Sequence, residues 1–317
     1  MDKSNIRVVF MGTPDFASVC LKALAEDGYN VVLAVCQPDK PVGRKHIITA
    51  PPAKLTAIAE GIEVYQPLSM KTEEAYEKIA SCKPDLIVTA AYGKILPQSV
   101  LDIPKYGPLN VHGSLLPRYR GAAPVHYSIL NGDSVTGVTI MRMDAGMDTG
   151  DILVKEEVTI DPDIHTDELM ALLADRGSKL LISMIPDFIE GKIEAVKQNE
   201  DEVLLSPPIR PEQAEFNWDL TALEIHNKVR ALSSWPGAFV INNGKKLKIY
   251  DSKVLSDSVV EGSEGSLPGI VVKAHKADLI VKCKEGCLKI LELQNEGGKR
   301  LKAVDCAHNY KVGQPIG

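Results

Sequence analysis

Through the first two thirds of the chain, short apolar runs alternate with stretches of helical periodicity. Residues 7–11 and 31–36 are β-branched, apolar runs of the kind that strands buried on both faces require. Between them Phe16, Val19, Leu21, Leu24 and Ala25 recur at helical spacing. The turn Gly12-Thr13-Pro14-Asp15 precedes this helix, with Thr13 or Asp15 as its expected cap. A helix over 53–60 opened by Pro51-Pro52, a strand over 62–65, a helix over 73–81 and a strand over 85–89 continue the order. A strand over 108–111 then runs into a Gly- and Pro-rich loop. This alternation predicts an α/β fold, a mostly parallel sheet with helices on both faces. After a helix over 124–130, strands over 136–141 and 152–160 have no helix between them, which predicts an antiparallel pair. A long amphipathic helix spans 166–189, and Thr166 followed by Glu168 and Leu169 suits its start.

The pattern changes near Ser206. Pro207-Pro208 and Pro211 stiffen a connector over 206–211. Beyond one helix over 221–232, the remainder is short strands broken by turns such as Asn242-Asn243-Gly244 and Glu296-Gly297-Gly298. A small β-barrel is the expected fold there. The length of 317 residues supports two domains, since single cores stop growing at about 250–300 residues. The expected division is 1–205, a linker over 206–211, and 212–317.

With 44% hydrophobic and 25% charged residues, the chain is neither disordered, collagenous nor a coiled coil. The net charge of -6 excludes a wholly basic surface but not a local basic track. Residues 211–317 hold 15 Lys+Arg against 13 Asp+Glu, while the rest holds 21 against 29, so the C-terminal part suits the more anionic partner. No apolar run of membrane-spanning length and no basic-then-apolar leader is present, which predicts a cytoplasmic, bacterial-type protein without membrane attachment. The six cysteines lack disulfide-framework spacing, and Cys283 and Cys287 read as small residues in a strand-rich segment.

Four segments offer chemistry. Gly12-Thr13-Pro14-Asp15 lies beyond a strand end but is neither a dinucleotide fingerprint nor a phosphate loop. Asn110 and His112 project from one face at the carboxyl end of a strand, where open α/β sheets place their sites. An amide can donate to a developing oxyanion, and an imidazole can move a proton. The loop Met143-Asp144-Ala145-Gly146-Met147-Asp148-Thr149-Gly150-Asp151 carries three carboxylates, one of which could lie against His112; it lacks calcium-loop spacing. The stretch 37–46 is a Pro- and Gly-broken basic loop at the same sheet end, where Lys40, Arg44 and Lys45 could meet phosphates. His126, His165, His226, His275 and His308 have no ligand spacing and read as structural or surface residues. A serine-hydrolase elbow and a metal-type histidine cluster are both missing.

Residues 110–124, Asn-Val-His-Gly-Ser-Leu-Leu-Pro-Arg-Tyr-Arg-Gly-Ala-Ala-Pro, resemble the signature loop of the 10-formyltetrahydrofolate-dependent formyltransferases. The segments 10–17, 37–44, 91–93, 137–141, the acidic loop through Asp151 and Trp235-Pro236-Gly237-Ala238-Phe239 extend the resemblance over nearly the whole chain, to the members that act on methionyl-tRNA. The resemblance implies a Rossmann-like catalytic domain and a C-terminal OB-like β-barrel that binds tRNA. It implies formyl transfer from 10-formyltetrahydrofolate to the α-amino group of initiator methionyl-tRNA, with no metal. The family's catalytic Asn, His and Asp fall on Asn110, His112 and Asp148. Its tetrahydrofolate-contacting loop falls on Ser114, Leu115, Leu116 and Pro117. Its tRNA-contacting insertion falls on the stretch with Lys40, Gly43, Arg44 and Lys45, although the loop after Arg44 is less basic than in some relatives. Nothing demands more than a monomer. Three alternatives stay open: formylation of an amino-sugar nucleotide, hydrolysis of the formylated folate, and tRNA binding without catalysis.

Overall fold

The computed structural model describes residues 2–43 and 46–316. The chain divides into two compact units. The first comprises Met1–Pro124, Val135–Thr159 and Met170–Pro207. The second comprises Val125–Ser134, Ile160–Leu169 and Pro208–Gly317.

The first unit is built on a seven-stranded sheet. From edge to edge its strands are Ile152–Thr159, Val135–Arg142, Gly107–His112, Leu86–Ala90, Arg7–Gly12, Asn30–Val35 and Val64–Tyr65. The last five are parallel. Val135–Arg142 pairs antiparallel both with Gly107–His112 and with Ile152–Thr159. On one face Val9, Met11, Leu33, Val35 and Ile87 pack with Ala75 and Ile79 of the helix Glu73–Ser81. The alternate residues Val8, Phe10, Leu86 and Val88 are also fully buried. Burial of both faces explains why these strands read as continuous apolar runs. A fully buried leucine or isoleucine contributes about 1.5–3 kcal/mol, so this two-sided core fixes the strand ends that carry the polar residues. The helix Thr166–Ile189 approaches the sheet at Gly177, where a Cβ would lie 2.9 Å from Val111 and 3.0 Å from Val138.

Local signals held in some places and failed in others. Thr72 caps the helix Glu73–Ser81 by accepting from the Ala75 amide at 3.3 Å. The helix Asp15–Glu26 has Pro14 at its cap position and no side-chain cap, so neither Thr13 nor Asp15 caps it. The Thr13 hydroxyl instead lies 3.4 Å from both the Gln37 amide and the Tyr92 carbonyl, tying three loops together. Thr166 does not cap its helix either. Its hydroxyl donates to the Ala231 carbonyl at 2.8 Å, while Glu168 accepts from the His165 amide at 2.9 Å. The strand expected over 62–65 is only Val64–Tyr65.

The second unit has an antiparallel sheet ordered Phe239–Asn242, Lys245–Leu255, Cys287–Asn295, Asp278–Lys282, Val271–His275, with Arg300–Lys302 added to Cys287–Asn295. Its core gathers Leu247, Ile249, Leu279, Val281, Leu288 and Ile290 with Ile225 and Val229 of the helix Ala222–Leu232. Thr221 and Glu224 form a reciprocal capping box at the start of that helix. Cys283 and Cys287 are buried. Among the described residues no helix is long and apolar enough to cross a membrane.

Candidate active site

The strand Gly107–His112 lies between a parallel and an antiparallel neighbour, with Asn110 in register with Thr89 on one side and Met141 on the other. Thr89 contacts Asn110 Oδ1 through its hydroxyl at 2.7 Å, the shortest of that hydroxyl's contacts. This leaves the amide nitrogen facing Asp148, with Nδ2 3.5 Å from Oδ1. His112 is 6% exposed, and its Nδ1 lies 3.7 Å from Asp148 Oδ2. Its Nε2 is 3.0 Å from the Tyr119 carbonyl, an acceptor, so Nε2 carries a proton. The Nδ1 edge is therefore the one that faces the carboxylate. The strand thus sets Asn110 and His112 toward one carboxyl group, an oxygen each.

Asp148 reaches this position from the loop between two antiparallel strands. Its φ is +55°, a left-handed conformation that aspartate tolerates better than most residues. Oδ2 accepts from the Gly121 amide at 2.8 Å. Gly150 closes the loop so tightly that a Cβ there would run into the Arg142 carbonyl. Of the other carboxylates, Asp144 is engaged within the loop, accepting from the Gly146 amide at 3.0 Å and the Thr149 hydroxyl at 2.7 Å.

The loop after His112 turns most of its side chains inward. Ser114, Leu116 and Pro117 are buried and Leu115 is half-buried. Thr139 Oγ1 donates to the Ser114 carbonyl at 2.7 Å and accepts from the Leu116 amide at 3.0 Å. Lys155 Nζ donates to the Leu116 carbonyl at 3.3 Å. Leu116 packs with Met141 and Ile152.

The basic stretch forms a two-stranded ribbon, Lys40–Val42 against Ile47–Thr49. Lys40 is exposed and donates to Gln37 Oε1 at 2.6 Å, while Gln37 Nε2 donates to the Tyr92 carbonyl at 2.8 Å. Gly43 turns the ribbon with φ +69°. Arg44 and Lys45 lie outside the described residues. Asp39, at the ribbon base, accepts from Lys54 and Gln66, which hold its carboxyl below the ordinary range. Lys94 is a cation that sequence patterning did not single out. Burial, and then the Lys40 charge, pull its pKa down.

Two other residues escaped sequence reasoning. Thr89 had a signal, a lone hydroxyl in an apolar strand beside the one bearing Asn110. Gln198 had none: it donates to the Asp148 carbonyl at 2.8 Å from fifty residues away.

Residues 5–185 match the formyl transferase family, and residues 208–311 match the formyl transferase C-terminal domain. The methionyl-tRNA formyltransferase of Caldicellulosiruptor saccharolyticus is 44% identical over 308 residues, covering 96% of this chain and 97% of its own. That of Bacillus subtilis is 46% identical over 307 residues, covering 96% and 95%. Two solved structures share the fold. HypX from Aquifex aeolicus in complex with tetrahydrofolic acid has a TM-score of 0.63 at 17% identity, over 95% of this chain and 47% of that one. WlaRD, a sugar 3N-formyl transferase, has a TM-score of 0.65 at 20% identity, over 92% and 97%.

Proposed function

Since this chain belongs to the methionyl-tRNA formyltransferases of the formyl transferase family, we propose that it transfers the formyl group of 10-formyltetrahydrofolate to the α-amino group of methionine on initiator methionyl-tRNA. The observation that carries this reading is the convergence of Asn110 and His112 on the two oxygens of Asp148, at 3.5 and 3.7 Å. Two donors beside one carboxylate suit a carbonyl that gains negative charge while an amine loses a proton.

The neutral methionyl amine attacks the formyl carbon carried on N10 of the folate; as the tetrahedral intermediate collapses the C–N10 bond breaks, and tetrahydrofolate leaves with N10 protonated. Asn110 donates through Nδ2 to the formyl oxygen as charge develops, and His112, protonated at Nδ1, donates beside it. Removing one such donor typically costs about 2.7–4 kcal/mol of barrier. Asp148, oriented by the Gly121 amide, faces the imidazole and accepts, through a water, the proton lost by the methionyl amine. Ser114, Leu115, Leu116 and Pro117 offer the folate a fixed apolar edge, led by half-buried Leu115. Their backbone contacts to Thr139 and Lys155 support that rigidity.

Lys40, Gly43, Arg44 and Lys45 contact the tRNA, with Lys94 adding charge near Lys40. The strand-rich C-terminal part, 212–317 after a linker over 206–211, contributes further tRNA contacts, consistent with its excess of basic residues. The test supplies labelled 10-formyltetrahydrofolate with charged initiator tRNA, with an amino-sugar nucleotide, or with no acceptor. Label is expected on the methionine. Label on the sugar, release as formate without acceptor, or no transfer would each overturn the proposal.

A further inference from the structure

Asp148 is gripped at both ends, and one side chain without an assigned role closes the grip. Gln198 Nε2 has two hydrogens, and each meets a carbonyl: Asp148 O at 2.8 Å and Gly150 O at 2.7 Å. Its Oε1 accepts from Arg120 Nε at 2.9 Å. The reverse amide orientation would set an oxygen against two carbonyls and an NH2 group against a guanidinium, so the assignment is unambiguous. Arg120, 5% exposed, is held in turn by a two-pronged pairing with Glu200, at 3.1 and 2.8 Å. The next residue, Gly121, donates its amide to Asp148 Oδ2 at 2.8 Å. The hydrogen bonds therefore form a circuit, from the Asp148 carbonyl through Gln198, Arg120 and Gly121 back to the Asp148 carboxylate. Paired amides and carbonyls of Ile152 and Val196, both at 2.8 Å, bring the Gln198 segment alongside the loop.

The circuit has a physical task. Asp148 sits at φ +55°, outside the favoured regions, and the loop has Gly150 two residues on. Bonds to the carbonyls of residues 148 and 150 fix the 148–149 and 150–151 peptide planes, one on each side of the Thr149–Gly150 segment. That fixes the direction in which the Asp148 side chain leaves the backbone. A carboxylate serving Asn110 and His112 together tolerates little rotation, because turning toward one oxygen's partner withdraws the other.

We infer that Gln198 is a positioning residue for formyl transfer: it holds the Asp148 backbone so that the carboxylate meets Asn110 and His112 at once. The inference rests on the function proposed above. It is tested by measuring kcat, and KM for both substrates, in Gln198→Ala, Gln198→Glu, Asp148→Asn and Gln198→Ala/Asp148→Asn. Gln198→Glu keeps the length and the Arg120 partner but cannot donate to the two carbonyls, so it serves if the alanine variant folds poorly. The expected result is a fall of about 10–100-fold in kcat for either Gln198 variant, with both KM values nearly unchanged. In the Asp148→Asn background, Gln198→Ala should cost little more, because its effect passes through the missing carboxylate. A large loss in Asp148→Asn beside wild-type kcat in both Gln198 variants would overturn the inference alone. So would an equal Gln198→Ala loss in both backgrounds, which marks a general structural role. A wild-type rate in Asp148→Asn would remove Asp148 from the chemistry and this inference with it, while absence of transfer in the parent enzyme would sink the functional reading itself.

Discussion

His112 places Nε2 3.0 Å from the carbonyl oxygen of Tyr119, an oxygen that also accepts from the Ser206 hydroxyl at 3.0 Å. Because a carbonyl offers no proton, the ring's hydrogen is fixed on Nε2 and the exchangeable position is Nδ1. The neutral ring is thus expected as the Nε2–H tautomer. Nitrogen chemical shifts of the labelled ring at high pH report this directly, and a neutral Nδ1–H ring would contradict it.

The Thr89 hydroxyl orients the Asn110 amide through a 2.7 Å contact with Oδ1. A hydrogen bond of this kind has a net worth of about 0.5–1.5 kcal/mol. Thr89→Val keeps the shape and should lower turnover about 3–10-fold with little change in folate KM. Thr89→Ser should restore most of the loss. A Thr89→Val enzyme with wild-type turnover would show that the amide is oriented by something else.

Buried histidines make the C-terminal unit acid-sensitive. His226 is held by the Pro162 carbonyl and the Ser252 hydroxyl, each at 3.0 Å, and burial lowers its pKa below 6.5. Burial lowers His126 in the same way. Below pH 6.5 the unfolded chain takes up protons that the folded chain refuses, so stability is full above that pH and falls as pH drops. Asp278, pushed down to about 2 by hydrogen bonds from Lys273 and Lys289, adds stability that is present above 3.8 and is lost as pH falls toward 2. The melting temperature should therefore be level above about pH 6.5 and fall below it, and His226→Gln should flatten the drop. An unchanged slope in His226→Gln would remove this histidine from the explanation.

Phosphate contacts by the basic ribbon should make tRNA binding salt-dependent. KM for tRNA is expected to rise steeply from about 50 to 200 mM salt, with a smaller change for the folate. Lys40→Ala should reduce the slope of log affinity against log salt by about one. A flat dependence for the parent enzyme would contradict a phosphate track.

The sheet was legible because its strands are buried on both faces and announce themselves as apolar runs. Asn110 and His112 were legible because period two puts them on one face at a strand end. Residue pattern alone narrowed the carboxylate to a loop of three, and only the resemblance pointed to Asp148, since which one turns inward depends on the Gly121 amide and a left-handed backbone. The ribbon Lys40–Val42 with Ile47–Thr49 is too short to produce a periodic signal. Thr13 and Thr166 looked like caps, but tertiary partners took their hydroxyls. Gln198 lies in a segment with no motif, and only the folded chain brings it to Asp148.

The central claim is that Asn110, His112 and Asp148 work on one carbonyl as a set. Its most direct test is the single-turnover rate of formyl transfer by Asp148→Asn, with the folate and the charged tRNA both saturating. The account predicts a loss of at least about 100-fold relative to the parent enzyme, with folate affinity preserved. Equal rates in the two enzymes would contradict it.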